Sequence, residues 1–231
     1  ERDRTRNKSV WLWMLSKRKQ TWQFRESIRT VPAERVSGND LVVTYINHAT
    51  ALIQTQGLNI VTDPMWSHRA SPFPFMGPRR YSSPGVSFND LPPIDIVLLS
   101  HNHYDHMDIT TLRRIMARWQ PRIYTGLGNA AYLARKGIHG ATDLDWWHSI
   151  EDSGIKIVST PARHFSARTF SDRNLTLWCG FILETNGGNI YFAGDTGYGT
   201  CINEIKQRYA SFRFALLPIG RRMVPKGSLS S

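Results

Sequence analysis

The chain is poor in cysteine, in acidic residues and in long apolar runs, and each shortage excludes something. Its two cysteines, Cys179 and Cys201, are too few for a disulfide framework, and neither belongs to a Cys-x-x-Cys pair. Both read as small buried filler. The apolar stretch Val10 to Leu15 is far shorter than the ~20 residues of a membrane-spanning helix, so none is expected. No internal repeat is apparent. Acids number 18 against 29 Lys and Arg, a net charge of +11 that bears on association with polyanions rather than on fold.

The first 35 residues hold ten of those cations against four acids, and Trp11 and Trp13 lie among them. Tryptophans flanked by Lys and Arg suit the interface of an anionic membrane. Docking of the arm on its own domain is the equal alternative. Nucleic acid is the competing polyanion, but no recognition-helix or RNA-binding signature accompanies the charge, so it is not the expected partner. Cytoplasmic and peripheral-membrane locations both stay open.

What the chain does have is a dense cluster of ligand-type residues. Ser100-His-Asn-His-Tyr-Asp-His-Met-Asp108 places His101, His103, Asp105 and His106 directly after the apolar run Ile94 to Leu99. Such residues are seldom buried without a partner, and a divalent cation is the natural one. The run reads as a strand buried on both faces, and ligands in α/β sheets sit beyond the carboxyl ends of strands. His101 and His103, two apart, leave an extended backbone on the same side. Imidazole with carboxylate fits zinc best, and iron and manganese are compatible with the same ligand types. The spacing of Leu112, Ile115, Met116 and Trp119 predicts a helix over 109–119, capped by Asp108.

The remaining pattern is mixed α/β. Strands are expected at 41–47, 51–56 and 59–63, then at 122–125, 155–160, 175–185 and 190–193, with 214–219 a last buried strand. A second helix is expected over 129–136, ended by Gly137. Residues 64–93 carry seven prolines and are too long for a plain connection. Their Trp66, Phe73, Met76, Arg79 and Arg80 are expected either to wall a pocket or to pack on the domain.

The histidine cluster, Thr62-Asp-Pro64 before it, His164 in Pro161-Ala-Arg-His-Phe-Ser-Ala-Arg168, and Asp195 in Phe192-Ala-Gly-Asp-Thr-Gly-Tyr-Gly199 together resemble the metallo-β-lactamase superfamily. Ile46-Asn-His-Ala-Thr50, Leu58 to Trp66, Arg69 to Pro72, Leu144 to His148 and Asp172 to Trp178 are similar to its N-acylphosphatidylethanolamine-hydrolysing phospholipase D branch. The likeness covers about residues 20 to 220 and implies an αββα sandwich. It also implies two zinc ions: His101, His103 and His164 on one, Asp105 and His106 on the other, Asp195 bridging, with Asp105 and Asp195 as the catalytic carboxylates. Asp63 is expected either to orient the metal loop from outside the ligand set or to be a strand-ending turn aspartate, and His48 either to border the pocket or to be a hydrogen-bonded core histidine, in neither case on the metal.

The branch would supply one more histidine to the second zinc after the segment matching Phe214 to Gly220, and no histidine follows Asp195 here. The expectation is a chain truncated at its C-terminus, its second sheet incomplete and one metal short of a ligand. Three parts are expected: a basic arm at 1–36, a metallo-hydrolase domain at 37–220 and a disordered tail at 221–231. The implied function is hydrolysis of a phosphodiester by metal-activated water, the substrate an N-acylphosphatidylethanolamine-type phospholipid. Arg163 and Arg168 are candidates to contact its phosphate. A lactonase or other ester hydrolase with the same centre, and a non-catalytic remnant that binds metal and membrane, are the alternatives.

Overall fold

The computed structural model describes residues 24–218 apart from 73, 74, 76 and 170. The expectations for the arm up to residue 23, for Phe73 and Met76 and for the tail from residue 221 lie outside the described residues. Two sheets pack face to face. The first has six strands in chain order: β1 (Leu41–Asn47), β2 (Thr50–Thr55), β3 (Leu58–Thr62), β4 (Ile96–Leu99), β5 (Arg122–Gly126) and β6 (Ala141–Leu144). β1 to β3 are antiparallel and β3 to β6 parallel. The second runs β11-β10-β9-β8-β7, from β7 (Ser149–Asp152), β8 (Ile155–Thr160), β9 (Gly180–Glu184), β10 (Ile190–Phe192) and β11 (Phe214–Leu216).

Side-chain alternation on these strands builds three apolar layers. On β4, Ile96 and Leu98 face the second sheet and meet Ile157, Phe181 and Phe192, while Val97 and Leu99 face outward. Those outward residues are covered by α1 (Ile109–Trp119) and α2 (Asn129–Arg135), through Leu112, Ile115 and Leu133. On the far side, Val158 and Ile182 of the second sheet pack under Ile205 of α3 (Thr200–Arg208). The order helix, sheet, sheet, helix is the expected αββα sandwich. Because β3 and β4 are covered on both faces, every residue in them is buried. That is why β4 reads as a continuous apolar run rather than an alternating one.

α1 has the expected bounds, and Asp108 caps it by accepting from the backbone amides of Thr110 and Thr111. Three expectations need correction. Residues 175–179 are not strand; β9 begins at Gly180, where an added Cβ would lie 2.7 Å from the Thr160 hydroxyl. The segment expected as a last buried strand is a three-residue edge strand, only partly buried, whose described portion pairs with β10 alone. α2 stops one residue early, at Arg135.

Within the proline-rich connection Trp66, Val86, Phe88 and Leu91 are core residues, so this face of the loop packs on the domain. Residues 25–35 run along the same region. Arg25, Ser27 and Thr30 bond to residues 81–85, and Arg35 pairs with Asp95. Among the described residues no helix is long and apolar enough to cross a membrane.

Candidate metal centre

The centre lies at the carboxyl ends of strands from both sheets. β4 ends at Leu99, and the chain turns at once so that His101, His103, Asp105 and His106 sit before α1. β8 ends at Thr160, four residues before His164, and β10 at Phe192, three before Asp195. Gly194 lets the β10 end approach: its φ is +57°, and an added Cβ would lie 2.6 Å from the Cβ of Ser100.

Three imidazoles converge on one point. His101 Nε2 and His103 Nδ1 are 2.8 Å apart, and His164 Nε2 is 3.2 Å from each. A neutral imidazole nitrogen either donates or accepts, so three nitrogens in a triangle cannot satisfy all three contacts. A cation can satisfy them together, since tetrahedral nitrogens about 2.05 Å from zinc lie roughly 3.3 Å from one another. Burial, and then the neighbouring histidines, hold His101 well below the ordinary imidazole pKa. Burial and His164 bring His103 down to about 4. Both therefore favour the neutral form that ligates metal.

The second group faces the first. His106 is wholly buried and donates from Nδ1 to Asp63 Oδ2 at 2.6 Å, which aims Nε2 at the cavity. That Nε2 makes no well-formed hydrogen bond; Asp195 Oδ2 lies 3.4 Å from it and Asp105 Oδ2 3.9 Å. A buried, unpartnered nitrogen between two carboxylates fits a cation. Without one, burial pulls the His106 pKa down, but Asp63 and Asp195 outweigh it and raise it to about 10. Asp195 Oδ2 is also 3.7 Å from His164 Nε2, so this carboxylate touches both groups, as a bridging ligand would.

Asp63 is fully committed from outside the ligand set. Its Oδ1 accepts from the Ser100 amide, and its Oδ2 from the Ser100 hydroxyl and His106. Ser100 Oγ is in turn 2.8 Å from His101 Nδ1, so one carboxylate orients imidazoles of both groups. Arg168 is a brace rather than a free cation: its Nη1 donates to the carbonyls of Asn102 and Met107, and its guanidinium lies 4.0 Å over Tyr104. Arg163 donates from its Nη1 to the Tyr198 carbonyl.

His48, set at the border of the pocket by sequence, comes closer than that. Its Nε2 is 3.0 Å from Asp105 Oδ2, and its ring lies edge-on to His106 with centroids 5.0 Å apart. Beside it a cavity of about 650 Å³ is walled by Tyr45, Ala51, Phe192, Leu216 and Leu217, with His48, Thr50 and Asp195 among its polar groups. A second cavity of about 790 Å³, behind the metal loop at Tyr104 and Met107, is lined by Arg69, Arg113, Arg114, Lys136 and Arg168.

Comparison with known proteins shows the family. The family described as the beta-lactamase superfamily domain matches residues 58–226. A protein of Mycobacterium tuberculosis described as uncharacterized is 38% identical over 188 residues, covering 80% of this chain and 50% of that protein. N-acyl-phosphatidylethanolamine-hydrolyzing phospholipase D 1 of Caenorhabditis elegans is 35% identical over 211 residues, covering 83% of this chain and 58% of that one. The chain thus spans about half the length of the curated relatives it matches. Among solved structures, Igni18, a metallo hydrolase from Ignicoccus hospitalis, superposes with a TM-score of 0.60 at 24% identity, over 78% of this chain and 71% of that one, a likeness of fold. The chain belongs to the metallo-β-lactamase superfamily of metal-dependent hydrolases.

Proposed function

We propose that this chain is a binuclear zinc phosphodiesterase that hydrolyses an N-acylphosphatidylethanolamine-type phospholipid. The observation that carries the reading is the pair of facing ligand groups, His101, His103 and His164 against Asp105 and His106, with Asp195 in reach of both. Two cations in such a site supply an acidified water and polarise the phosphoryl oxygens.

The chain's own residues do the rest. Asp63 and Ser100 fix the imidazole tautomers, so the nitrogens facing the cavity are free to bind metal. Asp105 and Asp195 are ionised: burial opposes this, but His48 and His106 hold Asp105, and His106 holds Asp195, below the ordinary carboxylate range. With two cations bound, the two carboxylates would offset part of their charge and leave the site net positive toward a phosphodiester anion. The apolar wall of Tyr45, Phe192, Leu216 and Leu217 suits an acyl chain rather than a sugar. The net charge of +11 favours encounter with an anionic bilayer. Similarity to the nematode phospholipase D supports the same substrate class.

The test is metal analysis of the purified protein together with turnover of N-acylphosphatidylethanolamine, read as phosphatidic acid released. Two metals and phosphatidic acid are expected. Hydrolysis of lactones without phosphodiester cleavage would move the reading to an ester hydrolase. Less than one metal per chain and no turnover would leave a non-catalytic remnant.

A further inference from the structure

We propose that His48 is a positioning residue of the second metal group: its Nε2, 3.0 Å from Asp105 Oδ2, holds that carboxylate facing His106. The inference rests on the binuclear reading above but not on the substrate. It starts from the placement of the imidazole. β1 and β2 are joined by the two-residue turn His48-Ala49, with Asn47 opposite Thr50. The first turn residue has φ +44°, a left-handed conformation that histidine adopts more readily than most residues other than glycine.

The surroundings here are explicit. Asn47 Nδ2 donates to the Met65 carbonyl at 3.0 Å, Thr50 Oγ1 to the Asp63 carbonyl at 2.6 Å, and Thr62 Oγ1 to the Ala49 carbonyl at 2.8 Å. The Met65 amide donates back to Thr50 Oγ1 at 3.1 Å. These four bonds bolt the turn to residues 62–65, the segment that also carries Asp63. The two residues thus act as a pair on one rigid platform: Asp63 grips His106 from beneath, and His48 reaches over the top to Asp105 Oδ2 at 3.0 Å. Asp105 needs the help. It projects from a half-buried turn with its side chain 39% accessible, whereas His106 beside it is wholly buried. The oxygen His48 contacts, Oδ2, is the one that faces His106 Nε2 at 3.9 Å, so the contact fixes the carboxylate where it meets the second group. Outer partners of this kind change metal affinity about 10–100-fold when removed.

Two substitutions separate this role from a structural one. His48→Gly removes the imidazole and relaxes the turn, so the metal-free protein is expected to unfold at the same temperature as wild type or higher. His48→Gln keeps an N–H donor of similar reach, and glutamine is tolerated at positive φ in this chain at Gln56 and Gln120. Zinc is titrated into each metal-free protein against a competing chelator. Expected are two equivalents in wild type, a second equivalent weakened about 10–100-fold in His48→Gly with the first unchanged, and recovery in His48→Gln. An unchanged second equivalent in His48→Gly overturns the proposal, as does equal weakening of both. Failure of His48→Gln to recover overturns it in favour of direct ligation by His48. A wild type that binds one equivalent overturns the binuclear reading and this proposal together.

Discussion

Asp63 and His106, 43 residues apart in the chain, meet at 2.6 Å with both side chains wholly buried. The contact joins the end of β3 to the metal loop and sets which nitrogen of His106 faces the cavity. Asp63→Asn keeps the size but replaces one oxygen that accepts from two donors with an amide that can only donate. The metal-free variant is expected to lose about 3 kcal/mol in urea denaturation, since a buried pair is broken and donors are left unpaired. Zinc affinity is expected to fall about 10–100-fold in parallel. A variant with both quantities unchanged would remove Asp63 from the account.

His103 presents Nδ1 to the first group where His101 and His164 present Nε2. No neighbouring imidazole can substitute from that position. His103→Ala is expected to retain one zinc fewer per chain after dialysis, counted by mass spectrometry, and unchanged content would refute the assignment.

Gly194 is the place where the second sheet comes closest to the metal loop. Gly194→Ala would force a methyl against Ser100 Cβ at 2.6 Å and the Cys179 carbonyl at 3.1 Å, at a φ of +57°. Overpacking and backbone strain together are expected to cost about 2–3 kcal/mol of stability. Because Ser100 carries bonds to Asp63 and His101, zinc affinity is expected to drop as well. A Gly194→Ala protein as stable as wild type in thermal unfolding would contradict the close approach.

A pH effect is expected away from the metals, at β7. Burial opposes ionisation of Asp152, but the Tyr124 and Ser153 hydroxyls and the Arg122 guanidinium hold its carboxyl below the usual value. A depressed folded pKa means stability that is present above the unfolded value, about 3.9, and lost as pH falls through the folded one. Asp152→Asn is thus expected to cost about 1 kcal/mol at pH 7, and the gap from wild type to close under acid. Urea midpoints measured at pH 7 and pH 3 check this; a constant gap would exclude the ionic contribution.

The parts of the fold that were legible in sequence are those where burial leaves a periodic mark. α1 shows its apolar stripe and its Asp108 cap, and β4 its unbroken apolar run. β6, β7 and α3 left no such mark. β7 reads Ser-Ile-Glu-Asp at a sheet edge, and α3 buries only Cys201 and Ile205 and has no side-chain cap. The six candidate ligands were legible because their side chains are chemically distinctive, and the structure brings all six together. His48 lines the pocket as expected, and its contact with Asp105 was not legible because it depends on the turn's backbone and on four anchoring bonds that composition does not record.

The core between the sheets acts as a caliper. β4 and its turn bring four candidate ligands from one jaw, while the ends of β8 and β10 bring His164 and Asp195 from the other. The spacing of the jaws rests on Ile96 and Leu98 packed against Ile157, Phe181 and Phe192, none of them a candidate ligand. Apolar side chains outside the ligand set therefore hold the two halves of the candidate centre at their distance from one another.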